Sequence, residues 1–211
     1  MDTITANIRA HYMMLTEQFG DAPEANSWDR MAQVFRWKEL LKLSDLVESA
    51  QQGDSLLDLG CGTGDFYGYL METIPEGNRL AYMGVDVVSS MIEIAKGKYP
   101  MGADMFRVLN VLEEALPRKF NYIFANGIFN LRLMEEKNAF PYMCRLLKAV
   151  WPYAERGICF NFISTHVNWR DEKMAYYDPA RVLEFCINEL SRKVSMAHHY
   201  EKCDVCVWVE R

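Results

Sequence analysis

The spacing of apolar residues divides the chain into a helical beginning and a remainder in which two kinds of segment alternate. Apolar side chains recur at helical intervals over residues 3–19, and Gly20 ends this pattern. After a polar loop at 21–27, a second helical pattern runs from Met31 to Val47. The first fifty residues are therefore predicted to be entirely helical.

From residue 55 onward, short apolar runs alternate with amphipathic segments. The runs typical of strands occupy residues 55–60, 80–86, 104–108, 120–126 and 157–164. The patterns typical of helices occupy residues 65–74, 89–98, 138–151 and 179–190. This alternation predicts a parallel, doubly wound sheet. Two final strands, at 194–197 and 205–209, have no helix between them and are expected to pair antiparallel.

Length and composition agree with one globular unit. The chain has 211 residues, of which 50% are hydrophobic and 25% charged, and chains of this size usually form one domain. We therefore expect a single α/β domain, in which residues 1–50 form a helical lid over a core at 51–211.

Charge and targeting features narrow the classes of partner. Acidic residues outnumber basic ones by 29 to 23 and no basic stripe is present. This disfavours nucleic acid as a partner, because neutralised phosphates supply much of the affinity for it. The sequence has no apolar run long enough for a bilayer and no secretory signal. We expect a cytoplasmic protein with reduced cysteines and no membrane partner, whose oligomeric state the sequence does not indicate.

The strongest chemical signal is a glycine-rich turn between a strand and a helix. Gly60, Gly62 and Gly64 follow the first apolar strand, and a missing β-carbon lets the backbone approach a ligand closely. About twenty residues later, Asp86 ends the second strand, where a carboxylate accepts hydrogen bonds from ribose hydroxyls. The pattern predicts a ribose-containing ligand across the carboxyl ends of these two strands.

Two acidic residues narrow the identity of that ligand. A dinucleotide site favours Gly or Ala at position 65, whereas this chain has Asp65, which would repel a pyrophosphate at the helix N-terminus. Asp58 adds a second carboxylate on the same side. Carboxylates suit the ammonium and sulfonium charges of S-adenosylmethionine, which is therefore the predicted cofactor.

The chain from residue 50 onward resembles class I S-adenosylmethionine-dependent methyltransferases through Asp58, the three glycines and Asp86. The resemblance implies a Rossmann-like, seven-stranded, mostly parallel sheet with an antiparallel C-terminal hairpin. It implies that Asp58 and the glycines line the methionine part of the cofactor and that Asp86 holds its ribose. It also implies that Ser89 and Met91 flank the adenine and that Asn110, where the family often has Asp, closes over the adenine edge.

A closer resemblance is to a group of small bacterial methyltransferases. The motifs that carry it are Asn126–Asn130, Phe160–Thr165, Tyr177–Pro179 and His198–Tyr200. In that group the last motif usually reads His-Asp-Tyr, so His199 is a departure. The resemblance implies a small-molecule acceptor. The segment after the fourth strand also lacks the two prolines found there in methyltransferases that act on nucleic-acid amines. Their absence favours a small-molecule acceptor.

The acceptor-side candidates follow from this fold, in which residues after strands four and five face the methyl group. Asn126 and Asn130 follow strand four; we expect Asn126 to bind the cofactor and Asn130 to take part in catalysis. His166, after strand five, is the candidate to take a proton from the acceptor, with an exposed loop histidine as the alternative. The aromatic residues expected to surround the sulfonium are Tyr12, Trp37, Tyr176 and Tyr177, of which Tyr176 and Tyr177 are also catalytic candidates. Core packing is the alternative for each of these rings.

Two other functions stay open at this point. The same fold can act on the aminobutyl chain of S-adenosylmethionine and release methylthioadenosine, or it can bind the cofactor without catalysis. No metal site is predicted. Cys203 and Cys206 lie near His198 and His199, but residues three apart on a strand point to opposite faces.

Overall fold

The computed structural model describes residues 3–27, 30–76, 79–198 and 204–211. Its N-terminal part is helical, as predicted. Helix α1 spans Thr3–Phe19, and a 3₁₀ turn follows at Pro23–Asn26. Helices α2 and α3 span Arg30–Leu43 and Leu46–Ser49.

The remainder alternates strands and helices, and every predicted strand and helix is present. The strands are β1 Ser55–Leu59, β2 Ala81–Asp86, β3 Phe106–Val108, β4 Phe120–Ala125, β5 Ala154–Ser164, β6 Tyr176–Tyr177, β7 Lys193–Ala197 and β8 Asp204–Glu210. The helices are α4 Asp65–Thr73, α5 Ser89–Lys98, α6 Glu136–Val150 and α7 Pro179–Glu189. Short 3₁₀ turns precede β3 and β5, at Pro100–Met105 and Trp151–Tyr153.

The strands form one mixed sheet in the order β3-β2-β1-β4-β5-β8-β7. The first five pair in parallel, and β8 pairs antiparallel with both β5 and β7, which confirms the predicted C-terminal hairpin. A further short strand, β6, is an addition to the seven predicted. It pairs in parallel with the end of β5, Tyr176 opposite Ile163 and Tyr177 opposite Ser164. The described part of the sheet therefore has eight strands.

Helices cover both faces of the sheet. On one face, α6 and α7 bury Met143 and Val182 in the same apolar cluster as Leu57 of β1. On the other face, helices α2 to α5 bury residues such as Leu40 in a second cluster with Leu56. Neighbouring residues of β1 thus enter opposite cores, as the two-residue repeat of a strand requires. Among the described residues, none of the helices has the length and apolarity needed to cross a membrane.

The register of the sheet determines where a ligand can bind. Asp58 lies opposite Gly84, and Leu59 opposite Val85, so β1 and β2 end side by side. The strand order continues from β1 to β2 and β3 on one side and to β4 and β5 on the other. The carboxyl end of β1 is therefore a topological switch point, the usual ligand position in an open α/β sheet.

Candidate functional site

A cleft opens at this switch point. Its empty volume, including its opening to solvent, is about 1160 Å³. The loops after β1, β2, β3 and β4 form its floor, and α1 and α2 contribute Ile8, Tyr12, Gln33, Arg36 and Trp37. The cleft is therefore built jointly by the sheet and the N-terminal helices.

The turn after β1 keeps its glycines in backbone conformations that other residues avoid. The φ angles of Gly60, Gly62 and Gly64 are +75°, +54° and +80°. The peptide N–H of Gly60 donates to the carbonyl of Val85 at 2.8 Å, which ties the turn to the end of β2. A β-carbon on Gly62 would lie less than 3.0 Å from Oδ1 of Asn26. Asn26, in the N-terminal segment, is therefore the close neighbour that leaves no room for a side chain at Gly62.

Asp86 connects the glycine turn to the segment after β2. Its Oδ2 accepts a hydrogen bond from the Gly62 N–H at 3.0 Å, and its Oδ1 accepts one from the Val88 N–H at 2.9 Å. Burial raises the pKa of the Asp86 carboxyl, while these backbone hydrogen bonds oppose the rise. Asp86 thus presents a positioned carboxylate to the cleft, as binding of ribose hydroxyls requires.

Asp58, near the end of β1, is a second carboxyl group in the cleft. It is 2% exposed and accepts a hydrogen bond from the Tyr82 hydroxyl at 2.6 Å. Burial, with a smaller contribution from the Asp86 charge, raises the pKa of Asp58 to about 7, although the Tyr82 hydrogen bond acts to lower it. A positive ligand near Asp58 would favour the ionised form.

The N-terminal segment contacts the cleft through hydrogen bonds that the sequence did not reveal. Arg9 Nε donates to the Val87 carbonyl at 2.9 Å, and the hydroxyls of Thr16 and Ser90 lie 2.7 Å apart. Burial and the Asp86 charge raise the pKa of Tyr12, and Tyr12 lines the cleft together with Asp86. Helix α1 therefore packs across the predicted ribose position, where a lid would lie.

Asn26 holds the far end of the same segment against the glycine turn. Its Nδ2 donates to Thr63 Oγ1 at 2.8 Å and to Asp65 Oδ2 at 3.0 Å. Lys98 forms ion pairs with Asp65, at 2.9 Å, and with Asp21 of the segment. Asn26 lies in a polar loop, so the sequence did not predict that it contacts the glycine turn.

Most of the predicted cofactor-binding residues meet in the cleft. Those that line it are Tyr12, Asp58, Gly60, Gly62, Asp86, Met91, Asn110 and Asn126. Gly64 precedes α4, and Ser89 is the first residue of α5. These two lie beside the cleft and do not line it. The structure therefore brings the set together, and the contacts of its members with a cofactor stay predictions.

Two of the predicted catalytic residues, His166 and Tyr176, lie outside the cleft, on the loop after β5 and on β6. His166 is exposed, with its N–H donating to Ser164 Oγ at 3.0 Å and its ring centroid 6.2 Å from that of His198. The Tyr176 hydroxyl accepts a hydrogen bond from the Asp171 N–H at 2.7 Å, and Tyr176 lines a separate cavity. Neither lines the cleft, so a catalytic role for either stays a prediction that this geometry does not support.

The other two, Tyr177 and Asn130, are core residues. The Tyr177 hydroxyl donates to the Phe129 carbonyl at 3.0 Å, and the residue is 4% exposed. Asn130 is fully buried, and its Nδ2 donates to Asp204 Oδ1 at 3.1 Å. Tyr177 therefore has the surroundings that its core-packing alternative describes, and Asn130 is likewise held inside the protein.

Asp204 is the centre of a buried polar network beside the cleft. Its Oδ1 accepts from Arg36 Nε at 3.0 Å and from Asn161 Nδ2 at 2.8 Å, in addition to Asn130. Asn161 Oδ1 in turn accepts from the Gly127 N–H at 2.7 Å. The network joins α2 to β5, β8 and the loop after β4.

Arg36 and Gln33 line the cleft, but the sequence did not predict them there. Polar residues on a helix usually face solvent, so their pattern gave no signal of a site.

Comparison with known proteins gives one family match and one curated relative. The family described as "Methyltransferase domain" matches residues 50–168, more than half of the chain. A malonyl-[acyl-carrier protein] O-methyltransferase of Acetivibrio thermocellus is 30% identical over 107 residues. This match covers 50% of the chain but 36% of the relative, so about a third of the relative's length is represented.

Solved structures with the same fold cover nearly the whole chain. Magnesium protoporphyrin IX methyltransferase from Synechocystis PCC 6803, with bound S-adenosylmethionine, has a TM-score of 0.65 at 12% identity and covers 100% of this chain and 98% of its own. The N-methyltransferase NodS from Bradyrhizobium japonicum, with S-adenosylhomocysteine, has a TM-score of 0.59 at 16% identity, with coverages of 95% and 97%. At these sequence identities, the similarities show that the fold is shared.

Proposed function

Because the chain belongs to the methyltransferase domain family, we propose that it transfers the methyl group of S-adenosylmethionine to a small-molecule acceptor. The observation that carries the proposal is the position of Asp86 in the cleft, where its two oxygens accept hydrogen bonds from the backbone N–H groups of Gly62 and Val88. A carboxylate at the end of β2 beside a glycine turn is the geometry that binds a ribose.

The residues of the cleft suit the other parts of this cofactor. Asp58 and the turn at Gly60 and Gly62 would hold the methionine portion, and a cation there would stabilise the ionised form of Asp58. Met91 and Asn110 would contact the adenine. The cofactor supplies a methyl group made electrophilic by its bond to a sulfonium sulfur.

The contribution of the protein to the reaction would be orientation and the exclusion of water. Methyl transfer is an in-line displacement, and holding the two reacting atoms in line accounts for much of the rate gain. Helices α1 and α2 cover the cleft through Tyr12 and Trp37 and shield the reacting groups from solvent. The relatives named above are O- and N-methyltransferases, so their names leave the acceptor atom open.

The first test of the proposed function needs no acceptor. Purified protein is incubated with S-adenosylmethionine alone, its melting temperature is recorded, and the nucleoside products are identified by mass spectrometry. We expect a higher melting temperature and an intact cofactor. Methylthioadenosine formed faster than in a protein-free control would instead indicate chemistry on the aminobutyl chain, and an unchanged melting temperature would contradict cofactor binding.

Replacement of Asp86 tests the ribose contact. We expect Asp86→Ala to weaken binding of S-adenosylmethionine by about tenfold or more, because hydrogen bonds to a charged group contribute about 1.5–3 kcal/mol. Titration calorimetry measures the dissociation constant. Asp104→Ala, at an exposed aspartate outside the cleft, is the matched control and should leave binding unchanged.

A further inference from the structure

One end of the cleft is formed by α2 and the loop after β4, and we call it the α2 end. Its lining residues include Gln33, Arg36, Trp37 and Asn126. With the ribose at Asp86 and the methionine portion at the glycine turn, the α2 end is the space left for the acceptor. The inference below therefore rests on the proposed function.

Among the uncharged side chains of the α2 end, three buried polar atoms make no hydrogen bond within the described part of the chain. They are Gln33 Oε1, Trp37 Nε1 and Asn126 Oδ1. Gln33 and Trp37 are 5% and 2% exposed and lie one helical turn apart on α2. Buried polar groups in folded proteins almost always have partners. Two hydrogen-bond acceptors and one donor without partners, on residues that line the same cleft, therefore point to a ligand.

The charges of the cleft limit what that ligand can be. Among the described lining residues the carboxylates are Asp58, Asp65 and Asp86, of which Asp65 is paired with Lys98 at 2.9 Å, and the one cationic side chain is Arg36. The Arg36 charge is already balanced by buried Asp204 at 3.0 Å. A carboxylate or phosphate on the acceptor would meet an excess of negative charge. It would also leave the amide oxygens of Gln33 and Asn126 without a donor.

We propose that the α2 end recognises a primary amine with a neighbouring oxygen atom, and that this amine is the methyl acceptor. A neutral amine has two N–H groups, which suit the oxygens of Gln33 and Asn126, and keeps a lone pair for the methyl group. The neighbouring hydroxyl or carbonyl oxygen accepts from the Trp37 indole N–H. A hydroxyl acceptor has a single hydrogen and satisfies one of the two amide oxygens.

The reaction balances without a further reagent. The nitrogen lone pair forms the N–C bond as the bond from the methyl carbon to sulfur breaks, and the sulfur leaves as the neutral thioether of S-adenosylhomocysteine. The positive charge passes to the nitrogen, which then releases one proton to water. The neutral Arg36–Asp204 pair takes no part in the transfer and holds α2 in position.

The test follows a labelled methyl group from S-adenosylmethionine into a protein-free small-molecule extract of bacterial cells. Products are separated by cation exchange and treated with base. Label in a base-stable product that binds the cation exchanger supports the proposal. Label released as methanol by base identifies a carboxylate acceptor, and label in a neutral, base-stable product identifies a hydroxyl or carbon acceptor; either result overturns it. Label in no acceptor fraction counts against the proposed function itself.

Variants test the role of Gln33 in the same assay. Gln33→Met removes the amide oxygen at similar length, so transfer of label to the amine should fall about tenfold. The melting temperature of the free protein should rise, because a buried oxygen without a partner is gone. Gln51→Met, at an exposed glutamine outside the cleft, should change neither quantity. Unchanged transfer with a lower melting temperature in Gln33→Met would show a purely structural residue and overturn the assignment.

Discussion

The contact between Gly62 and Asn26 offers a sharp test of how the N-terminal segment is joined to the glycine turn. In the structure, a β-carbon on Gly62 would collide with Asn26 Oδ1, while the rest of the Asn26 side chain lies farther away. In Gly62→Ala the Asn26 carboxamide must therefore move. That movement breaks its hydrogen bonds to Thr63 at 2.8 Å and Asp65 at 3.0 Å.

The magnitude follows from these contacts. An alanine in the left-handed conformation of Gly62 costs about 1–2 kcal/mol. The lost hydrogen bonds cost about 1 kcal/mol for the neutral Thr63 and about 1.5–3 kcal/mol for the charged Asp65. Gly62→Ala should therefore destabilise the wild-type protein by about 3.5–6 kcal/mol, but an Asn26→Ala protein by only about 1–2 kcal/mol.

The assay is urea unfolding of the free protein for the wild type, both single variants and the double variant. We expect the double variant to be about as stable as Gly62→Ala alone, because both have lost the same hydrogen bonds and carry the same strained alanine. Additive effects would make the double variant less stable by the full effect of Asn26→Ala. That result would refute the contact as the reason for glycine at this position.

Three further predictions concern the carboxyl groups. If the ionised form of Asp58 binds the cationic cofactor, then with its pKa at about 7 the affinity for S-adenosylmethionine should fall about tenfold from pH 8 to pH 6. The Asp58 carboxylate is lost as the pH drops through that pKa. Asp58→Asn should therefore remove the pH dependence of the affinity. An affinity of the wild type that does not change with pH would contradict this role of Asp58. Tyr82→Phe removes the hydrogen bond that lowers the pKa of Asp58, so the midpoint of the same calorimetric profile should move to higher pH. Asp204→Ala leaves the buried Arg36 charge without its carboxylate and should lower the free energy of unfolding by about 3–5 kcal/mol, whereas unchanged urea unfolding would mean that water reaches the guanidinium.

The fold was predictable because its main signals are local. The apolar runs and the amphipathic helical patterns each reflect a repeat of two to four residues, and the absence of a helix between the last two strands fixed their antiparallel pairing. Strand β6 was not predictable, because two residues, Tyr176 and Tyr177, carry no periodicity. They form a strand only because the end of β5 offers them a partner.

The candidate site was predictable on the sheet side and only in part on the helical side, where Tyr12 and Trp37 were expected and Gln33 and Arg36 were not. Asp58, the glycines and Asp86 are placed by the strands that precede them, and these strands end at one switch point. Gln33 and Arg36 reach the cleft through the packing of α2 against distant strands, which a helical pattern does not encode. His166 was expected at the site because it follows β5, but its loop places it in solvent.

The most direct test of the account is a crystal structure of the protein with S-adenosylhomocysteine. We expect the ribose hydroxyls within hydrogen-bond distance of Asp86, the methionine portion along the glycine turn, and the sulfur facing Gln33 and Trp37. A nucleoside bound outside the cleft, or one whose ribose does not contact Asp86, would contradict the proposed function.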